Sequence, residues 1–117
     1  MQRLMYSRSN VRTAVFAGYS EASIALAGRL KDNPGMCIAV DGFFDDRSPE
    51  RLGMEEGAQV LGRLSELAGY VNAHKTEVIF VALPMRHVQR VLDLLDDLRD
   101  TTASIYYVPD VFVFDLI

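Results

Sequence analysis

The sequence predicts an α/β fold, a doubly wound parallel sheet of about five strands with helices on both faces. Three observations predict it. Residues Thr13 to Leu30, TAVFAGYSEASIALAGRL, read as a short apolar strand, a glycine turn and a segment of helical period. Apolar runs then alternate with amphipathic ones in the order strand, helix, strand, strand, helix, strand, helix, strand, a βαβ series that right-handed crossovers close into one parallel sheet. The second strand is apolar almost throughout, the pattern of a strand covered by helices on both faces.

Each element has its own signal. The first strand is Ala14-Val15-Phe16-Ala17, and Gly18-Tyr19-Ser20-Glu21 forms the turn. The helix that follows places Ile24, Ala25, Ala27 and Leu30 towards the sheet and stops at Lys31-Asp32-Asn33-Pro34-Gly35. The second strand runs from Met36 to Phe44, interrupted in polarity at Asp41, and ends in the charged turn Asp45-Asp46-Arg47-Ser48-Pro49. Residues Glu50 to Gln59 are a polar connection that Glu55-Glu56-Gly57 keeps at the surface. Val60-Leu61 is a minimal third strand, and Ser65 to His74 a helix with Leu64, Leu67, Ala68 and Val71 on one side. Glu77 to Leu83 is the clearest strand, broken by Pro84. Arg86 to Arg99 is the clearest helix, with Val88, Val91, Leu92, Leu95 and Leu98 on one face and Gln89, Arg90, Asp93, Asp96 and Asp97 on the solvated other. Ser104 to Val108 is the fifth strand, followed by Pro109-Asp110 and the apolar tail VFVFDLI.

Composition narrows the function. The 117 residues suit one domain, 50% hydrophobic and 24% charged, which is ordinary globular material. Wrapping DNA or RNA needs a basic face, and a formal net charge of −4 disfavours nucleic acid as a partner, so none is expected. The single cysteine, Cys37, makes no intrachain disulfide and no metal cluster, and a reducing compartment is the simplest reading. Residues 1–12 read as a basic leader, with Arg3, Arg8 and Arg12 and no acid, and residues 13–117 as a single domain. The leader is either a frayed terminus or a cytoplasmic linker leaving a membrane segment. The tail either packs back on the domain or continues towards a partner or membrane.

The predicted switch point, between the first and fourth strands, is where ligands bind in sheets of this kind. Gly18, Tyr19 and Ser20 stand there, in a turn that either presents helix amides to a phosphate or simply lets Ser20 cap the helix. A dinucleotide fingerprint would have glycines where this chain has Ser20 and Ser23, and Glu21 repels an anion. Asp45 and Asp46, at the carboxyl end of the second strand, are ribose ligands or turn formers. Arg86 and His87, after the fourth strand, face the first turn and can hold a diphosphate, or are exposed first-turn residues. His74, near a helix C-terminus, is placed by the helix dipole. No nucleophile–base pair, carboxylate dyad or metal-ligand spacing is present, so this stretch of chain is expected to do no covalent chemistry.

The segments AVFAG, NPG…VDGFFDDR, VLGRLSELAGYV, EVIFVALP and LRDTTASIYYVPDVFVFDL, in this order and spacing, resemble the cytoplasmic Rossmann-like domain of bacterial polyprenyl glycosylphosphotransferases. These are undecaprenyl-phosphate glucose-1-phosphate transferases that begin exopolysaccharide and capsule synthesis. The resemblance covers about Arg12 to Ile117. It implies a soluble, non-catalytic domain at the cytoplasmic face of the inner membrane, with membrane helices before it and the catalytic domain after it in the parent enzyme. It implies membrane contact through that parent chain. Related domains bind CoA or NAD, or belong to sugar-nucleotide dehydratases and epimerases, with a fuller glycine pattern after the first strand. The serines here count against NAD and CoA and leave a mononucleotide such as a UDP-sugar as the expected ligand.

Three functions follow. The first is a regulatory or assembly domain sensing a nucleotide or nucleotide sugar through Gly18, Tyr19, Ser20, Asp45, Asp46, Arg86 and His87. The second is a ligand-free homodimerisation module built on the tail and the Arg86–Arg99 helix. The third is a fragment of an NAD-linked sugar-nucleotide oxidoreductase or epimerase.

Overall fold

The computed structural model describes residues 11–48 and 59–109, apart from the side chain of Met85. Five parallel strands form one sheet in the order β3-β2-β1-β4-β5: β1 Arg12–Ala17, β2 Ile38–Phe44, β3 Val60–Gly62, β4 Val78–Val81 and β5 Ser104–Tyr107. Helix α1, Glu21–Asp32, covers one face. Helices α2, Leu67–His74, and α3, Val88–Leu98, cover the other. This is the predicted doubly wound architecture, with the strand order reversing between β1 and β4. No helix among the described residues is long and apolar enough to cross a membrane.

The pleat of β1 divides the core. Val15 and Ala17 point to one side, where Phe44, Ile79 and Val81 meet Leu67 and Val71 of α2 and Val91, Leu94 and Leu98 of α3. Ala14 and Phe16 point to the other, where Phe43, Phe80 and Ala82 meet Ala22 and Leu30 of α1. Phe16 is the centre of that second layer, stacked between Phe43 at 5.2 Å and Phe80 at 5.0 Å. Only the last three residues of β2 are buried, so its apolarity is used at the carboxyl end, next to the turn that follows. A bulge between Ala14 and Val15 shifts the β1–β2 register, and Gly42, opposite Val15, lies too close to the Gln59 carbonyl for any side chain.

Two helical faces differ from the sequence reading. In α3 the packed residues are Val91, Leu94 and Leu98, with Leu95 partly covered, whereas Val88 and Leu92 are exposed at 47% and 53%. The helix begins only after a 3₁₀ turn over Met85–His87, so Val88 is its first residue, and Leu92 falls to the side of the stripe formed by Val91, Leu94 and Leu98. In α1 the packed residues include Ala22, Ser23 and Leu26, and Ala25 is not among those joined to the core. His74 stacks on Tyr70 at a centroid distance of 3.9 Å, with Nδ1 3.1 Å from the Tyr70 carbonyl, which is a structural use. Cys37 is half-buried and left-handed (φ 59°) at the end of the 3₁₀ turn Pro34–Met36. The connection 49–58 and the tail 110–117 lie outside the described residues, as do residues 1–10 of the leader.

Candidate functional site

The site is built where the carboxyl ends of β1, β2 and β4 meet. Gly18 makes the turn out of β1 with φ +106°, a conformation that glycine reaches at little cost. Its N–H donates to the Phe44 carbonyl at 2.7 Å, and Ala82 N–H donates to the Ala17 carbonyl at 2.8 Å, so the three strand ends are tied together.

The turn amides are then used one after another. Tyr19 N–H donates to Asp45 Oδ2 at 2.9 Å. Ser20 N–H donates to Ser23 Oγ at 2.8 Å, and Ser23 N–H donates to Ser20 Oγ at 3.3 Å, a reciprocal capping box. Sequence left two readings of this turn, a phosphate cradle or a helix cap, and Ser20 is found capping. Where a dinucleotide fingerprint offers amides to a pyrophosphate, Tyr19, Ser20 and Ser23 satisfy theirs within the chain. The Tyr19 ring is buried edge-on against Phe43 at 4.9 Å.

Asp45 is the keystone of the second strand end. It is 6% exposed and also receives Arg47 N–H and Arg47 Nε at Oδ1 and an Arg47 terminal nitrogen at Oδ2, each at 2.9 Å. That terminal nitrogen also donates to the Tyr19 carbonyl at 2.9 Å. The fork-on-fork pair thereby clamps the β1 turn to the β2 turn. Burial raises the Asp45 pKa, but hydrogen bonds from Arg47 and from the Tyr19 and Arg47 amides, with the Arg47 charge, outweigh it and hold the carboxyl below its ordinary value. The Arg47 pKa is raised in turn, chiefly by its hydrogen bonds to Asp45.

Asp46 points the other way. Its Oδ1 accepts Leu64 N–H at 2.9 Å and lies 3.9 Å from Arg63 Nε, and its Oδ2 pairs with the Arg90 guanidinium. Around these groups is a cleft of about 150 Å³ lined by Asp45, Asp46, Arg47, Arg86, His87 and Arg90, with Leu64, Leu83 and Pro84 as its apolar part. Tyr107 O–H donates to the Leu83 carbonyl at 2.9 Å and fixes the β4 side of that cleft. A larger apolar cavity, about 470 Å³, lies between α1 and the amino-terminal half of β2, at the opposite end of the sheet, with Lys31 the one charged residue among the described residues that line it. The switch-point rule and the concentration of charge both favour the smaller cleft.

Of the residues singled out in the sequence, Asp45, Asp46, Arg86 and His87 line this cleft. Gly18, Tyr19 and Ser20 lie behind it as the scaffold that holds Asp45 and the start of α1. Three cations were not singled out: Arg47, Arg63 and Arg90. Arg90 is one helical turn beyond Arg86, a spacing that places both on one side of the helix start. Arg63 carries no such signal, because only the β2–β3 pairing brings its loop beside Asp46. Among the described residues no group of acidic, histidine or cysteine side chains could hold a metal ion.

The chain resembles known proteins both in sequence and in fold. The chain is similar to the UDP-glucose:undecaprenyl-phosphate glucose-1-phosphate transferase of Klebsiella pneumoniae, 30% identical over 108 residues, which is 92% of this chain and 23% of that protein. It is similar to proteins of the same name from Escherichia coli K12, at 28% identity over 86% of this chain, and Xanthomonas campestris pv. campestris, at 27% over 92%. The chain spans under a quarter of the length of these relatives, 22–23%. Its fold matches the Rex-family repressor RSP with a TM-score of 0.64 at 13% identity, over 98% of this chain and 59% of that one. RSP in complex with β-NADH matches with a TM-score of 0.62 at 14% identity, over 98% of this chain and 61% of that one. The family whose pattern fits residues 1–109 is described as a CoA-binding domain, and the chain, a five-stranded Rossmann-like sheet with its charged cleft at the switch point, belongs to that family.

Proposed function

We propose that this chain is the non-catalytic regulatory or assembly domain of a membrane sugar-1-phosphate transferase of the kind that initiates exopolysaccharide or capsule synthesis. In this reading it sits at the cytoplasmic face of the inner membrane and senses a nucleotide sugar in the cleft between the β2 and β4 turns. The observation that carries the reading is the alignment of 92% of the chain with a 23% portion of a UDP-glucose-dependent transferase. Within the cleft, the carboxylate of Asp45 and the hydroxyl of Ser20 are spent on holding the turn, which supports binding rather than turnover. Arg86 and His87 remain for a phosphate-bearing ligand, and Arg90 and Asp46, paired with each other, stand beside them for a further phosphate oxygen and a ribose hydroxyl.

The choice among ligands rests on the first turn. The family's description names CoA, and RSP is known with β-NADH, yet both are larger ligands that ask more of the amides of this turn than a UDP-sugar does. Those of Tyr19, Ser20 and Ser23 are already bonded within the chain. Titration calorimetry with UDP-glucose, UDP, NAD and CoA is expected to show binding of the two uridine ligands and at least tenfold weaker binding of the other two, the value of about 1.4 kcal/mol. Failure of all four to bind at millimolar concentration removes the ligand-sensing part of the reading.

A second reading, a homodimerisation module, is favoured by the exposure of Val88 and Leu92, one helical turn apart on α3. Sedimentation velocity is then expected to show a concentration-dependent dimer that Leu92→Asp converts to monomer. A wild type that stays monomeric across the concentration series removes this reading.

A further inference from the structure

The cleft is positive in an acidic protein. Three guanidiniums, from Arg47, Arg86 and Arg90, line it with two carboxylates, Asp45 and Asp46, and a fourth, from Arg63, stands 3.9 Å from Asp46, while the whole chain has a formal net charge of −4. The surplus is unevenly placed. Arg47 is committed to buried Asp45 through a bidentate pair. Arg63 and Arg90 come from different elements and share the half-exposed Asp46, and Arg86 has no hydrogen bond or ion pair among the described residues. Asp46 thus does what a bound anion would do: it draws guanidiniums from the β3–α2 turn and from α3 to one point, with Leu64 N–H completing its coordination. Arg90 also forms a wall, because a second hollow of about 160 Å³ beyond it is lined by the same Asp46, Leu64 and Arg90 together with Ser65, Asp93 and Asp97.

We infer that this arginine cluster is a diphosphate seat, displaced from the α1 N-terminus to the space between the β2 and β4 turns, with Asp46 as the built-in counter-ion that an entering diphosphate replaces. The inference rests on the nucleotide reading above and adds to it where the phosphates lie and what they compete with. Two neighbouring phosphates present several acceptor oxygens and a charge that one carboxylate lacks, so Arg63, Arg86 and Arg90 can all be engaged at once. The acids Asp93 and Asp97 keep the anion out of the second hollow and so fix its position on the Arg86 side.

Asp46 separates this inference from the ribose role, because with UDP-glucose the ribose role expects Asp46→Asn to weaken binding and the counter-ion role expects it to tighten, while pyrophosphate, which has no ribose, reads the counter-ion role alone. Calorimetry with inorganic pyrophosphate and with UDP-glucose compares wild type, Asp46→Asn and Arg86→Ala, with a thermal melt of each variant as a folding control. The counter-ion role expects Asp46→Asn to tighten pyrophosphate about threefold to tenfold, since removing one nearby negative charge removes a competitor for the guanidiniums. Arg86→Ala, which removes no hydrogen bond or ion pair among the described residues, is expected to weaken pyrophosphate about fivefold or more with its melting temperature unchanged. Unchanged or weaker pyrophosphate binding by Asp46→Asn overturns the counter-ion role while leaving nucleotide binding in place. Tighter pyrophosphate binding without any UDP-glucose binding keeps the seat and removes the nucleotide-sugar reading instead. Absence of pyrophosphate binding in all three proteins overturns the seat.

Discussion

Replacing Gly18 by alanine is expected to cost the fold about 3 kcal/mol or more and to be the most damaging single change at the cleft. Two effects add. At φ +106° an L side chain is strained, by about 1–3 kcal/mol. A Cβ would also stand 2.8 Å from the Ala82 carbonyl oxygen, 3.1 Å from its carbon and 3.0 Å from Leu83 Cδ2. The leucine tip can move, but the Ala82 backbone cannot move freely, because its N–H is held by the Ala17 carbonyl at 2.8 Å. Overpacking of this kind costs about 1–3 kcal/mol. Urea denaturation measures the loss directly: at an m-value of about 1–2 kcal/mol/M for a domain this size, the midpoint should fall by roughly 2 M. A variant within 1 kcal/mol of wild type would mean that the turn tolerates a side chain and that β1 and β4 are not held by it. The same result would weaken the placement of the cleft, whose β4 side starts at Leu83.

The order of elements was legible because it depends on local periodicity, and the parallel sheet with its switch point between β1 and β4 followed from the βαβ series. Each of the five strands was found in the predicted place, with ends moved by a residue or two. What remained hidden depends on contacts between distant positions. Asp45 and Asp46 looked equivalent as adjacent acids in a turn, yet adjacent residues point apart, so one reaches the Tyr19 amide, 26 positions earlier, and the other reaches Arg90, 44 positions later. Nothing in the sequence around Asp45 announces the Tyr19 amide as its partner, since every residue but proline has such a group. Val88 and Leu92 fitted the apolar stripe of α3 by spacing alone. The buried stripe is Val91, Leu94 and Leu98, so spacing found Val91 and Leu98 and missed Leu94.

Asp45→Asn is expected to destabilise the domain by about 2–3 kcal/mol at neutral pH and to flatten its response to acid. The carboxylate accepts four hydrogen bonds, two at each oxygen. An amide keeps one oxygen and turns its NH₂ towards two donors, whichever way it is placed. If that nitrogen faces Tyr19 N–H, a buried amide loses its acceptor. If it faces the Arg47 side, the fork loses both its charge and its geometry, although Arg47, half-exposed, can then turn to water, which limits the cost. The pH dependence has a definite sign. The folded carboxyl lies below its ordinary value, so as pH falls through about 4 the unfolded chain takes up the proton first and stability drops. The contribution of Asp45 is complete above that range and is gone once pH falls through the folded value. Denaturation midpoints at pH 7, 5, 4 and 3 should therefore show wild type and Asp45→Asn converging as acid is added. A gap that stays constant down to pH 3 would show that the Arg47–Asp45–Tyr19 clamp contributes shape but no net charge stabilisation. Convergence would identify Asp45 as the group that fastens the nucleotide-type turn to the second strand. A carboxylate so occupied is unavailable as a ribose ligand, which leaves recognition to Asp46 and the arginines that surround it.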